Sequence, residues 1–386
     1  MRQKTADITL LCKVVDNFGD IGFVYRLARA LSALPDSVRI RIVTDNVAAL
    51  AGLAPGVDAA AARQEHGGWQ IFDWNAPSVC MEAFTAEPPR IVLECFQCGR
   101  PDWLDCLLFE RTVPNLVHII MIDYLTAEDY AETFHGLQSL TRSARVPKVN
   151  FMPGFTEKTG GLILDEPFLQ APAAPLAADS DFTVLFFCYE KDWSPVVRAL
   201  QDFSPSNRKV LVAEGAGRAS FMEAWKLCGR SFPVQEIPFL PQEEWDRLLC
   251  RAQLLFVRGE DSLSRACLCG TPFVWQAYPQ SESYQLVKVR ALLDRMRGFF
   301  APKEFAVVER CWLSVNGGCV SAAASCSEGG SAGGGSHGGD LYSAVGAFLQ
   351  AYGRLRSGFQ AFSERLKKNG DLAARLMTFM QKNGML

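Results

Sequence analysis

Short, mainly apolar stretches at 8–15, 38–43 (alternating with Arg39 and Arg41), 91–94 and 116–122 predict strands. Between the first two runs Val24, Leu27, Ala28, Leu31 and Leu34 recur at helical spacing. A second series at 182–187, 210–213, 254–257 and 273–275 repeats the arrangement, with helical stretches at 220–227 and 243–250. Strands alternating with helices predict parallel, doubly wound α/β sheets. A turn-rich stretch at 153–161 and an Ala/Pro-rich linker at 171–181 separate the two series. They divide the chain into an N-terminal domain, 1–165, and a C-terminal domain, 166–386. Residues 316–340 are rich in Gly, Ser and Ala and too poor in apolar side chains to order themselves, which predicts a disordered surface insertion. After it, 341–386 reads as helical with a break near Gly370, a segment able to pack back on the first domain.

The candidate chemistry lies where strands run into helices. The first run ends in Asp16-Asn17-Phe18-Gly19-Asp20-Ile21-Gly22, and the run at 252–257 ends in Arg258-Gly259-Glu260-Asp261-Ser262. In open α/β sheets ligands bind outside the carboxyl ends of strands, which makes both turns candidates. The first lacks the Gly-x-Gly-x-x-Gly dinucleotide fingerprint and puts Asp20 where a pyrophosphate would sit, so a cationic or proton-losing substrate suits it better. The plainer alternative is that Asp16 and Asp20 only cap the following helix. The second turn pairs Arg258 with Ser262 at a helix start, where free amides favour a phosphate, and Glu260 or Asp261 can accept sugar hydroxyls. Its plainer alternative is a capping box with surface charges. Trp245 offers a stacking face for a planar base and Gln242 an amide to pair with it, while Phe187 and Tyr189 stand at another strand end. A lone aromatic is more often core than ligand wall, and it is their shared location that selects these.

A chain of 386 residues has length for two domains, and its 49% hydrophobic content can fill two cores. A net charge of −3 argues against general affinity for nucleic acid or anionic lipid. No signal peptide or membrane-spanning run is seen, and the 13 cysteines, mostly in apolar segments, read as reduced thiols of a cytoplasmic protein. Cys95 and Cys98 form a Cys-x-x-Cys without a second pair to complete a zinc site. Asp179-Ser180-Asp181 matches the Asp-x-Asp of some metal-dependent sugar-nucleotide enzymes but lies in the linker, so no metal site is expected. His66, His118, His135 and His337 have no candidate nucleophile beside them, which leaves Ser–His and Cys–His catalysis unsupported.

The residues 12–22, Cys-Lys-Val-Val-Asp-Asn-Phe-Gly-Asp-Ile-Gly, resemble the opening signature of the arginine rhamnosyltransferases that modify elongation factor P, the EarP family. Further matches follow in the family's order: Glu94-Cys95-Phe96-Gln97-Cys98, Tyr124 to Glu128, Pro153-Gly154-Phe155-Thr156-Glu157-Lys158-Thr159-Gly160-Gly161, Pro238 to Gln242, Arg258 to Ser262, and Pro272 to Trp275 with Tyr278-Pro279-Gln280. The resemblance implies a GT-B architecture, two Rossmann-like domains facing a central cleft. It implies inverting, metal-independent transfer of L-rhamnose from dTDP-β-L-rhamnose to an arginine of elongation factor P, with no cofactor and no nucleic-acid or membrane partner. It assigns Asp16 and Asp20 to the acceptor and catalytic side, with Asn17, Phe18 and Gly19 in the same substrate-binding turn, and Glu260 to catalysis. Phe187, Tyr189, Gln242, Trp245, Arg258, Asp261 and Ser262 would line the donor site. Trp245 stands where the family often has Phe, and Asp123 where Glu is usual. Gln276 stands where His is usual, so a polar role there does not carry over.

Two rival classes are a GT-B transferase with a small-molecule or lipid acceptor and a catalytically silent nucleotide-sugar-binding module. The acidic first turn favours a cationic acceptor, and three carboxylates at strand ends would be an electrostatic cost in a mere scaffold. If 316–340 is a passive surface loop, replacing it with a short Gly-Ser link costs little stability and leaves transfer intact, since closure depends weakly on loop length. Activity and thermal unfolding of the replaced protein check this.

Overall fold

The computed structural model describes residues 6–15, 18–35, 38–111, 116–170, 182–204, 207–318 and 337–386. They form two compact units: Met1–Leu169 with Leu240–Glu244 and Leu366–Leu386, and Gln170–Phe239 with Trp245–Arg365. The boundary passes through one helix, Gln242–Arg251, between Glu244 and Trp245.

The first unit is built on eight strands: β1 (Ala6–Cys12), β2 (Val38–Thr44), β3 (Arg63–His66), β4 (Trp69–Asp73), β5 (Ile91–Cys95), β6 (His118–Ile122), β7 (Gln138–Ser139) and β8 (Lys148–Phe151). Their order is β3-β4-β2-β1-β5-β6-β8-β7, parallel except for the two edge pairs β3/β4 and β7/β8. Ile8, Leu10 and Cys12 point to one face, covered by Ile21, Val24, Leu27 and Leu31 of the Gly19–Ser32 helix and by Leu372, Leu376, Met377 and Met380 of the Leu372–Lys382 helix. Leu11, Val43 and Val92 face the other way, against Phe84, Trp103 and Leu104. Cover on both faces is why β1 and β5 read as mainly apolar stretches.

Charged side chains are buried in this sheet, among them Asp7, Arg41 and Glu94. Arg41 reaches both oxygens of Asp7 at 2.9 and 3.0 Å, donates to Glu87 O at 2.8 Å and lies over the Phe84 ring. Burial pushes its pKa down, and these acceptors keep the buried guanidinium partnered.

The C-terminal helix is tied into the first unit by Asp371. Asp371 Oδ2 accepts Ala374 N–H as an N-cap, Oδ1 accepts Leu164 N–H at 2.7 Å, and Leu372 N–H donates to Leu162 O.

The second unit carries five parallel strands, β9 (Phe182–Phe186), β10 (Arg208–Ala213), β11 (Val234–Ile237), β12 (Leu254–Arg258) and β13 (Phe273–Gln276), in the order β11-β10-β9-β12-β13. Helices connect consecutive strands, as parallel pairing requires. Among the described residues no helix is long and apolar enough to cross a membrane.

The structure departs from the sequence reading in three places. β1 stops at Cys12, short of 15, because Val14 N–H and Val15 N–H go to the carboxylates of Asp45 and Asp20, each at 2.8 Å, instead of a strand. The short strands β3, β4, β7, β8 and β11 carry too few apolar residues or too little length to announce themselves. The insertion expected at 316–340 also has ordered ends. Asn316 is buried, with Oδ1 accepting Ala277 N–H and Nδ2 donating to Trp275 O and Trp312 O. The helix His337–Lys368 begins inside the expected loop, and Asp340 accepts from Arg310 Nη2 at 2.8 Å. Replacing all of 316–340 would remove these contacts, so the passive-loop expectation fails at both ends of the span. Residues 319–336, the linker 171–181 and Asp179-Ser180-Asp181 lie outside the described residues.

His135 supplies a pH dependence. Its Nδ1 accepts Met152 N–H at 3.1 Å, and its ring packs on Phe151 and, across the unit, on Phe379 of the C-terminal helix. Burial first, and then the charge of Arg375, lower its pKa from the ordinary 6.5. The unfolded chain therefore takes up the proton before the folded one. Stability is complete above pH about 6.5 and falls as pH drops through that value towards the lower folded one. His118 is shifted in the same direction by burial and Arg90. The melting temperature should decline between pH 7 and 5. His135→Asn, whose amide oxygen can take the same N–H without titrating, should flatten that decline.

Candidate active site

In the first unit the carboxyl end of β1 leads to the Gly19–Ser32 helix, and Asp20 sits in its first turn, 3% exposed. The residue at the helix N-cap is Phe18, whose side chain makes no capping hydrogen bond. Asp20 reaches back, Oδ2 taking Val15 N–H at 2.8 Å, and so ties the turn between strand and helix together. Burial and the negative charge of Asp20 together push the Cys12 thiol well above its ordinary value. Phe18 is partly exposed. Asp16 and Asn17 lie outside the described residues.

Gly22, one turn further on, is where Gln242 lands. Gln242 Nε2 donates to Gly22 O at 2.7 Å, and a Cβ on Gly22 would lie 3.5 Å from that nitrogen. Glu243, beside it, pairs with Arg29 at 2.8 Å and accepts from the Tyr25 hydroxyl. Arg29 also binds Asp165 at 3.0 Å, so a run of charges fixes 240–244 on this helix. Gln242, expected with the donor residues of the second domain, thus belongs to the first unit because its amide satisfies a carbonyl there. Its Oε1 stays buried without a hydrogen-bond partner.

The Cys-x-x-Cys is not reactive. Cys95 is buried, and burial raises the Cys98 thiol to about 12, so both stay protonated at neutral pH. Cys98 Sγ lies 3.6 Å from Leu11 O.

In the second unit the expected donor residues gather at the carboxyl edge of the sheet. β12 ends at Arg258, whose guanidinium lies 4.6 Å from the centres of both the Phe187 and Tyr189 rings. Phe187 meets Trp245 edge-on at 5.0 Å, and Tyr189 meets Tyr278 at 5.3 Å. Gly259 follows with φ 70° and ψ 176°, a conformation only glycine adopts readily. That reversal starts the Glu260–Cys269 helix with Glu260, Asp261 and the buried Ser262 in its first turn. Gly259 is the N-cap and has no side chain, so the Ser/Thr-led capping box does not describe the motif. An arginine beside the first turn of a helix is an arrangement that suits an anion. Gly215, at the end of β10, brings its backbone up to the same cluster: a Cβ there would lie 3.0 Å from Phe187 Cε2 and 3.4 Å from Arg258 Nη2.

The family model for the elongation factor P (EF-P) rhamnosyltransferase EarP matches residues 8–381. This chain belongs to the EarP family. A protein-arginine rhamnosyltransferase of Neisseria meningitidis serogroup B is 31% identical over 341 residues, which cover 80% of this chain and 84% of that protein. One of Pseudomonas putida is 30% identical over 333 residues, 80% and 86% of the two chains. A solved structure described as the structural basis for EarP-mediated arginine glycosylation of EF-P superposes with a TM-score of 0.57 at 19% identity, over 98% of this chain and 99% of that one. The fold is GT-B, with one Rossmann-like sheet in each unit.

Within this EarP-family chain, Phe187, Tyr189, Trp245 and Arg258 are in mutual ring and cation–π contact, and the Glu260 turn follows directly. Asp20 and Gln242 belong to the first unit, although Gln242 lies on the same helix as Trp245. Sequence reasoning missed Gln276. Its Oε1 accepts Tyr189 N–H at 2.7 Å although it is only 4% exposed, so it does have a polar role. The available signal was an amide closing the otherwise apolar run Phe273-Val274-Trp275. Asn316 was missed because it adjoins the glycine-rich stretch.

Gly259→Ala has space for its methyl group but not the backbone conformation. It should destabilise the protein by about 1–3 kcal/mol in denaturant unfolding and weaken nucleotide-sugar binding by displacing the Glu260 turn.

Proposed function

We propose that this chain transfers L-rhamnose from dTDP-β-L-rhamnose to an arginine side chain of elongation factor P, with inversion and without a metal ion or cofactor. Rhamnose transfer to an EF-P arginine follows from its family and from relatives named protein-arginine rhamnosyltransferases. The donor, the stereochemistry and the residue roles are our reading. The observation that carries it is the buried Asp20 carboxylate, held by the Val15 amide in the turn between strand and helix.

The chemical difficulty is the nucleophile, because a guanidinium has a pKa above about 12 and no free lone pair at neutral pH. Asp20 acts as general base: it accepts the guanidinium proton as the N–C bond forms at the anomeric carbon and the C–O bond to the diphosphate breaks. Asp16 and Glu260 orient the guanidine and support by charge the oxocarbenium-like transition state. Asn17, Phe18 and Gly19 shape the acceptor turn. On the donor side Phe187, Tyr189 and Trp245 offer apolar faces, with Gln242 available for hydrogen bonding. Arg258 and the first-turn amides around Asp261 and Ser262 take up the charge of the departing diphosphate, the task a metal performs elsewhere. We place the enzyme in the cytoplasm with its acceptor, which suits eleven described cysteines that are all free.

Incubating the purified chain with dTDP-rhamnose and EF-P should add the mass of one deoxyhexose to EF-P, and changing the acceptor arginine to lysine should abolish the gain. Donor hydrolysis without a mass gain would instead favour a small-molecule acceptor, and neither reaction a silent binding module. Asp20→Asn should lower turnover by about 10² or more with donor affinity nearly unchanged. Near-normal turnover in that variant would remove Asp20 from the base role.

A further inference from the structure

β13 ends at Gln276, which stands opposite Arg258 in the β12/β13 register. Two strands away, β9 pairs with β12 as far as Phe186↔Phe256, and Phe187 N–H still donates to Phe256 O at 2.8 Å. Continued, that parallel ladder would send Tyr189 N–H to the Arg258 carbonyl. Gln276 Oε1 takes it instead, at 2.7 Å. The end of β9 is thereby turned towards β13, and the Tyr189 ring comes to lie 4.6 Å from the Arg258 guanidinium. Gln276 is itself held. Asn316 clamps the residues on either side of it, accepting Ala277 N–H at 2.9 Å and donating to Trp275 O at 2.8 Å. A second bond from Asn316 Nδ2 to Trp312 O anchors the clamp to the end of the Pro302–Val315 helix.

We propose that Gln276, locked by Asn316, is a positioning residue for the donor: by accepting the Tyr189 amide it sets the Tyr189–Arg258 stack that grips the nucleotide sugar. The inference rests on the donor site argued above. It also explains how an amide serves where the family resemblance leads one to expect histidine, since a neutral imidazole nitrogen accepts the same N–H. What the position requires is an acceptor.

Three substitutions test this, read as separate KM values for dTDP-rhamnose and EF-P, as kcat, and as dTDP affinity by calorimetry. Gln276→Met keeps the length and removes the acceptor. It should raise the dTDP-rhamnose KM and weaken dTDP binding about tenfold or more, as expected when a buried amide loses its partner, with the EF-P KM and kcat changed less than about twofold. Gln276→Glu retains an acceptor and should stay closer to the unsubstituted protein than Gln276→Met does. Gln276→His should bind dTDP normally at pH 8 and lose affinity as pH is taken below the ordinary imidazole value of about 6.5 towards 5, by more than the unsubstituted protein does over the same range. The charged groups around this position are Arg258 across the ladder and Lys191, whose Nζ donates to Val315 O at 2.7 Å. Both are cations, so they hold an imidazole here neutral rather than charged. A merely structural residue would lower thermal stability without giving Gln276→His a pH-dependent dTDP affinity. A flat pH profile in Gln276→His, or an unchanged donor KM in folded Gln276→Met, overturns the inference. If Gln276→Met does not fold, the Gln276→His pH series decides alone. If the unsubstituted protein binds neither dTDP nor dTDP-rhamnose, the donor-site reading fails first and takes this inference with it.

Discussion

A parallel strand that stops leaves amide groups its neighbours no longer accept from, and in this protein side-chain oxygens take them up. Asp45 and Asp20 receive Val14 and Val15 beyond β1, Gln276 receives Tyr189 beyond β9, and Asn316 receives Ala277 beyond β13. Each bond satisfies a polar group that would be costly to bury unpaired. Each also fixes where the chain goes next, and the residues that follow or flank these bonds are the ones to which we assign the chemistry. Site and strand end are one construction.

The parts of the fold legible in the sequence are those governed by burial. β1, β5, β9 and β12 are buried along most of their length and appear as mainly apolar runs. The β3/β4 hairpin, Arg63–His66 and Trp69–Asp73, turns on Gly67 and Gly68, both at positive φ, and its first strand is polar. An edge strand of that kind has no periodicity to betray it. β7 has two residues and β11 alternates weakly, so neither carries a signal of its own.

The site divides along a similar line. Arg258-Gly259-Glu260-Asp261-Ser262 was legible because a glycine in a Gly-only conformation, a basic residue and a helix start fall together after an apolar strand. Asp20 was legible as a carboxylate in a turn, but that it takes the Val15 amide depends on the path of 13–15, which spacing does not specify. Gln242 was misplaced because its neighbour Trp245, three residues along the same helix, does belong to the second unit. Asn316 vanished into the composition of the glycine-rich stretch beside it, and only its three hydrogen bonds distinguish it. Long-range polar contacts of this kind leave no local trace.

The Leu372–Lys382 helix has a consequence for biosynthesis. Leu372, Leu376, Met377 and Met380 share a core with Ile8 and Leu10, so an early strand is completed by a helix made far later in synthesis. Vectorial synthesis usually lets an N-terminal domain finish folding while the rest is still being made. Here the first sheet emerges with one face partly uncovered and keeps it so until the Leu372–Lys382 helix follows. The interval in which that apolar face is open to chaperones or to misassociation is set by the stretch of chain between Cys12 and Leu372, not by the length of the domain.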